Sequence, residues 1–219
     1  MALKLFHCHE ARSMRSLWLI NELKLDVDVV LFSFGRALRS DDYLSRHPLG
    51  RVPCLEDGEL TLFESGAIAE YLCEIYDDGV LWRAPGHKER PEWLQWIHYA
   101  ETMTVHAANL TQQAIVISDP ALRSPTVQKL ETRRLGKAIE VLESQLQDRD
   151  YLLASGFSAA DVGVGYSLHV GRLFTDIEAY PNVAAYYQRL SSREAFKQSL
   201  PAMDAEHKIY TQQNYWLTE

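Results

Sequence analysis

The chain has 219 residues, 47% of them hydrophobic and 24% charged, which is enough to bury a sizeable core and too apolar for a disordered segment. Its 22 Lys and Arg against 30 Asp and Glu leave a formal charge of −8, the wrong sign for a surface that grips a phosphate backbone, so no nucleic-acid partner is expected. No apolar run approaches the roughly 18 residues of a membrane helix, and Cys8, Cys54 and Cys73 form no C-x-x-C pair, which suits free thiols in a reducing, cytoplasmic compartment.

The first residues lack the basic stretch and apolar core of a secretory leader, and Leu3, Leu5 and Phe6 begin a strand. Met14, Leu17, Trp18, Asn21 and Leu25 then recur at helical steps, and residues 27–32 (Val-Asp-Val-Val-Leu-Phe) read as a second strand. A β-α-β unit of this kind joins parallel strands. A short helix is expected near 40–46. Residues 52–56 and 59–63 read as strands on either side of Asp57-Gly58, a strong hairpin signal. Ile68, Leu72, Ile75 and Tyr76 mark a helix face that ends at Asp77-Asp78-Gly79, and Pro85, Gly86 and Pro91 mark a linker. Everything beyond is helical. Trp93, Trp96, Ile97, Ala100, Met103, Thr104 and Ala107 trace one face and Leu135, Ile139, Leu142 and Leu146 another, while Ser158-Ala159-Ala160-Asp161 is a capping box opening a helix through Leu168. The expected organisation is an α/β domain over 1–78, a linker over 79–87 and an all-helical domain over 88–219.

Several residues carry chemistry as well as structure. Pro53 cannot donate to a ladder and belongs on an edge or at the first position of a strand; on its own it reads as an ordinary trans proline. Ser65 reads as an N-cap, and Gly66 lets a ligand approach the backbone. Helix-start N–H groups there suit a carboxylate and Glu64 suits an ammonium, so one spot can hold both ends of an amino-acid zwitterion, although a simple cap explains the same residues. Ser13 can cap the first helix or donate to an anion. His7 and His9 are taken to leave the strand on opposite faces, a poor arrangement for a shared metal, and none is expected. Tyr99, His106, Tyr166, Tyr210, Tyr215 and Trp216 could line an apolar pocket, but most aromatics at helical spacing are core. No G-x-S-x-G, H-E-x-x-H or Walker motif occurs.

Taken in order, Pro48-Leu49-Gly50-Arg51-Val52-Pro53, Glu64-Ser65-Gly66-Ala67-Ile68, Trp93-Leu94-Gln95-Trp96 and Ser158-Ala159-Ala160-Asp161 resemble a cytosolic glutathione transferase across the whole chain. The start, Ala11-Arg12-Ser13-Met14-Arg15-Ser16-Leu17-Trp18, is similar to a bacterial and fungal subgroup with R-S-x-R-x-L-W there. The resemblance implies a thioredoxin-like first domain and a helical second one, a cis Pro53, and glutathione as co-substrate. Val52 would pair with the cysteinyl backbone as an added strand does, Glu64 and Ser65 would take the γ-glutamyl end, and Arg51 would reach the glycyl carboxylate. Asp161 would be structural.

It also implies that the glutathione thiol becomes a thiolate and attacks an electrophilic, largely apolar substrate. Lowering the thiol's pKa by two units takes about 2.7 kcal/mol of preference for the anion. The sequence departs from the better-known patterns here: His7 stands where some members have Tyr, Ala11 and Arg12 where others have Ser or Cys, and His47 where Asn often precedes Pro-x-Gly. Ser13 is the expected thiolate donor and Arg12 the alternative. Tyr99, Met103, His106 and His169 are expected against the electrophile, between the turn after the first strand and helices over 93–117 and 159–175. A cytoplasmic homodimer with a role in detoxification follows from the same resemblance. The competing accounts are a glutathione-dependent disulfide reductase or peroxidase and a non-catalytic binding or regulatory protein.

Overall fold

Strand β1 (Leu3–His7) lies at the centre of a four-stranded sheet, and the computed structural model describes residues 3–216 around it; the terminal residues 1, 2 and 217–219 of the expected domains lie outside the described ones. β1 pairs in parallel with β2 (Val27–Leu31) and antiparallel with β3 (Cys54–Asp57), which pairs antiparallel with β4 (Leu60–Phe63). The order β2-β1-β3-β4, with helix α1 (Ser13–Glu22) crossing over from β1 to β2, is the mixed sheet of a thioredoxin-like domain. Alternation along the strands separates two faces. Leu5 and its register partner Leu55 are buried, as are Met14, Trp18 and Ile20 of α1 and Ile68 and Leu72 of α3 (Ser65–Tyr76). Phe6, Cys8 and Cys54 instead cluster with Leu38 and Tyr43.

The hairpin sits one residue later than the Asp57-Gly58 signal suggests. Asp57 pairs with Leu60, so Gly58 and Glu59 make the turn, with Gly58 at φ 61°. The Asp57 carboxylate accepts hydrogen bonds from the hydroxyls of Tyr71 (2.8 Å) and Tyr76, which keeps Asp57 in the strand.

Between β2 and β3 a 3₁₀ turn (Arg36–Arg39) precedes α2 (Asp41–Leu44), which is capped by Ser40. Gly50 closes this loop at φ 54°, and a Cβ there would lie 2.3 Å from the Leu38 carbonyl oxygen, so only glycine fits. Ser65 is not the N-cap of α3. Glu64 holds that position, and Ser65 is the first helical residue. Likewise Arg12, not Ser13, is the N-cap of α1, and it makes no side-chain capping bond.

The described residues form two compact units, drawn from Met1–Ala84 with Ser192–Ile209 and from Pro85–Ser191 with Tyr210–Glu219. Where the sequence expectation gives all of 88–219 to one domain, contacts with α1 tie α8 (Glu194–Gln198) to the sheet-bearing unit. Trp18 meets Phe196 edge-to-face at 4.8 Å, and Arg193 grips Glu22 with two bonds of 2.7 Å.

The second unit is built on α4 (Arg90–Thr111), α5 (Pro125–Gln145), α6 (Ala159–Gly171) and α7 (Pro181–Ser192). The faces read from spacing on α4 and α5 are buried as expected. α4 and α6 cross closely: a Cβ on Gly163 would lie 3.2 Å from the Ala100 Cβ, and the Thr104 and Ser167 hydroxyls lie 2.8 Å apart, each within hydrogen-bonding distance of the Ala100 carbonyl. The capping box forms. The Asp161 carboxylate accepts from Ser158 N–H and Oγ–H, from Leu152 N–H and from the Tyr186 hydroxyl. Among the described residues no helix is long and apolar enough to cross a membrane.

Candidate functional site

The first component is the turn between β1 and α1. Ala11 N–H donates to Cys8 O and Met14 N–H to Ala11 O, which bends the chain so that α1 starts at the end of β1. The first turn of a helix leaves N–H groups without intrahelical acceptors and carries the positive end of the dipole, a setting that favours an anion. Ser13 is fully buried. Its Oγ lies 2.8 Å from His7 Nδ1, accepts from Cys8 N–H at 3.2 Å and can donate to Cys8 O at 3.3 Å. Arg12 is half-buried. Burial, with His9 nearby, lowers the His7 pKa to about 4, so the ring is neutral at pH 7. Burial pushes the Cys8 thiol up to about 12 and Cys54 up to about 11, which makes both poor nucleophiles.

The rings of His7 and His9 meet edge-to-face at 5.6 Å instead of pointing apart, because His9 lies past the end of β1 and residues two apart share a face. Among the described residues no group of three or more His, Cys, Asp or Glu is placed to hold a metal.

The second component is the loop entering β3. The Val52–Pro53 peptide is cis, as the resemblance implies and the residues alone do not. Tyr43 of α2 donates its hydroxyl to Arg51 O at 2.6 Å, which fixes the backbone just ahead of Val52. Val52 is half-buried against the Phe6–Cys8–Ala11 cluster, and Arg51 is exposed. His47 stands where the resemblance leads one to expect Asn. Its Nδ1 accepts from Leu49 N–H at 3.3 Å, the bond to the backbone two residues on that an Asn side chain makes in an Asx turn. Burial lowers the His47 pKa, consistent with a ring that accepts at Nδ1.

The third component is the start of α3. Glu64 is exposed and adopts φ 76°, ψ 113°, a left-handed conformation costly for any residue with a Cβ. Ser65 is buried behind it and accepts a 3.0 Å hydrogen bond from Arg15 Nη1 of α1. Sequence reading missed Arg15. The available signal is its position: it shares a helix face with Trp18 and Leu19, and a guanidinium on an apolar stripe has to find a polar partner.

The four residues expected against an electrophile do not collect in one pocket. Tyr99 and His106 line a groove of about 600 Å³ between α4 and α5, together with Leu130, Arg133 and Lys137. Tyr99 donates to Ala138 O, and His106 Nδ1 bonds the Glu131 carboxylate at 2.8 Å. Met103 is 0% exposed and belongs to the core of α4. His169 is buried with Nδ1 2.7 Å from the Tyr187 hydroxyl, and burial lowers its pKa to about 3. Of the other aromatics, Tyr166 is core, Tyr210 bonds Thr111, Tyr215 stacks on Phe174, and Trp216 is exposed.

Comparison with known proteins identifies the family and the fold. The family "Glutathione S-transferase, N-terminal domain" matches residues 1–74, and "Glutathione S-transferase, C-terminal domain" matches residues 127–189. A probable glutathione S-transferase, GSTF1, of Oryza sativa subsp. japonica is 30% identical over 202 residues, covering 86% of this chain and 90% of its own. Glutathione transferase F7 of Populus trichocarpa superposes with a TM-score of 0.79 at 26% identity, over 90% of this chain and 97% of its own. The Phanerochaete chrysosporium transferase URE2P6, solved with oxidized glutathione, shares the fold at a TM-score of 0.81 and 22% identity, over 90% of this chain and 94% of its own. By sequence and by fold, the chain belongs to the glutathione S-transferase family of enzymes.

Proposed function

We propose that this enzyme binds glutathione on its sheet-bearing unit, holds the thiol as thiolate at the start of α1, and directs it at an electrophilic carbon of a largely apolar substrate. In this reading the backbone of Val52, beside cis Pro53, pairs with the cysteinyl group. Glu64 meets the γ-glutamyl ammonium, Ser65 and the N-terminus of α3 meet its carboxylate, and exposed Arg51 meets the glycyl carboxylate. The observation that carries the reading is Glu64, held at φ 76° directly ahead of buried Ser65: a simple helix cap needs no such conformation, whereas a ligand clamp does.

Ser13 and Arg12 are the proposed thiolate stabilisers, and the geometry favours Arg12. The Ser13 hydroxyl already has His7 and Cys8 as partners, while Arg12 is the N-cap residue of α1 and carries a permanent charge that favours a thiolate. For the electrophile, Tyr99 and His106 are the proposed contacts; Met103 and His169, expected beside them, are buried and are not proposed to touch it. The R-S-x-R-x-L-W start supports placing the chain in the bacterial and fungal subgroup. Three buried free cysteines favour the cytoplasm. A homodimer and a role in detoxification complete the proposal. The disulfide-reductase account is less favoured, because the chain's own cysteines are buried and the two at the sheet end have strongly raised pKa values.

Ultraviolet titration of the thiolate of bound glutathione tests this. A midpoint well below that of free glutathione is expected. Saturable binding with no shift would favour a disulfide or binding role, and no binding would sink the transferase reading.

A further inference from the structure

We propose that Arg15 is a positioning residue that acts through Ser65 to recognise the α-carboxylate of the γ-glutamyl group. The inference rests on the glutathione reading above and assigns a residue that the resemblance does not.

Arg15 and Ser65 are each 6% exposed, lie fifty positions apart on α1 and α3, and are joined by a 3.0 Å bond from Nη1 to Oγ. A guanidinium has donors only, so the serine oxygen is the acceptor in this bond. A hydroxyl has one hydrogen and two lone pairs. With a lone pair committed to Arg15, the Ser65 hydrogen is left to donate elsewhere, and a donor bonded from behind by a cation is the stronger for it. Ser65 is also the first residue of α3, where first-turn N–H groups gather the positive end of the helix.

The pair therefore presents a directed O–H, backed by a buried positive charge, to any anion at this helix start. A carboxylate on the ligand is the chemistry that uses both the hydrogen and the charge.

The test is a binding comparison by calorimetry between glutathione and its analogue with the γ-glutamyl α-carboxylate converted to the carboxamide. Wild type, Arg15→Gln, Arg15→Lys, Ser65→Ala and the Arg15→Gln/Ser65→Ala double variant are used, with thermal melting to establish which are folded. Arg15→Gln is expected to weaken glutathione by about tenfold while changing the carboxamide by less than about twofold, since a hydrogen bond to a charged group is what is lost. Arg15→Lys should recover part of the loss. In the Ser65→Ala background the Arg15→Gln effect should largely disappear, because the two act through one bond.

Equal losses for both ligands would reduce Arg15 to a structural residue. A full tenfold loss that persists without the Ser65 hydroxyl would mean that Arg15 meets the ligand directly. Either result overturns this inference and leaves the glutathione reading standing. If Arg15→Gln does not fold, Arg15→Lys and Ser65→Ala carry the comparison, and the absence of selective loss for the carboxylate ligand in both overturns it equally. Failure of wild type to bind glutathione at all would remove the reading on which the inference rests.

Discussion

The Ser13 hydroxyl oxygen lies 2.8 Å from Nδ1 of His7, so the one hydroxyl at the start of α1 is tied to the last residue of β1. The same oxygen accepts the Cys8 N–H, and all of these groups are buried. Ser13→Ala therefore leaves a buried backbone donor and a buried ring nitrogen without their partner. A loss of about 1–3 kcal/mol of unfolding free energy is expected by denaturant titration. Arg12→Gln, on a half-buried side chain, should cost little stability and raise the bound thiol's pKa. The reverse pattern, a thiol shift with Ser13→Ala and none with Arg12→Gln, would return the thiolate to Ser13.

Acid sensitivity follows from two buried histidines. The ordinary imidazole value is 6.5, and in the folded protein burial lowers His7 to about 4 and His169 to about 3. The folded state then binds protons less readily than the unfolded chain, so the stability these rings contribute is complete above 6.5 and is lost as pH falls towards 4 and 3. Each should steepen the decline by up to about 1.4 kcal/mol per pH unit within its window. Urea midpoints measured between pH 7.5 and 4.5 check this, and His169→Gln should flatten the curve.

Asp161 accepts four hydrogen bonds, from Leu152, Ser158 twice, and Tyr186, while being fully buried. Asp161→Ala should cost about 3–5 kcal/mol or prevent folding, since it strands several buried donors at once. Tyr186→Phe removes one of them and should cost about 1 kcal/mol. Circular-dichroism melts distinguish the two, and a mild Asp161→Ala would show that the capping box is dispensable.

The Arg193–Glu22 pair holds the segment before α8 to α1 with two 2.7 Å bonds, and Trp18 Nε1 also donates to Glu22 at 2.9 Å. Arg193→Met should destabilise the protein by about 2 kcal/mol, because the Glu22 side chain is 9% exposed and loses its cation. Hydrogen exchange should quicken in α8 before it does in α1.

Glu64→Gly removes the Cβ that makes a φ of 76° costly, and offsets that gain with a more flexible unfolded chain. Unfolding free energy should stay within about 1 kcal/mol of wild type, while glutathione binding weakens several-fold for want of the carboxylate. Unchanged binding would make Glu64 a bystander.

Much of the architecture is local in origin and therefore legible in the chain. Helical spacing on α4 and α5, the hairpin glycine, and the Ser158–Asp161 capping box each follow from short-range sterics and hydrogen bonding, and each formed. The boundaries that slipped did so for tertiary reasons. Asp57 stays in its strand because Tyr71 and Tyr76 of α3 hold its carboxylate, and α8 joins the sheet-bearing unit because Phe196 and Arg193 find Trp18 and Glu22.

The candidate site divides along the same line. The residue types at 51–53 and 64–65 were readable because the order of their motifs is specific, although composition and spacing alone left Pro53 trans. What the sequence by itself determined was the set of elements and the backbone turns that deliver those residues. Only the tertiary structure decided what each side chain meets: Ser13 meets His7 and Cys8, Met103 the core of α4, His169 Tyr187, and Ser65 the guanidinium of Arg15. The physical reason is that a polar side chain's role depends on which of its donors and acceptors are already used, and the partners that use them lie on other elements, up to fifty residues away in the chain for Ser65.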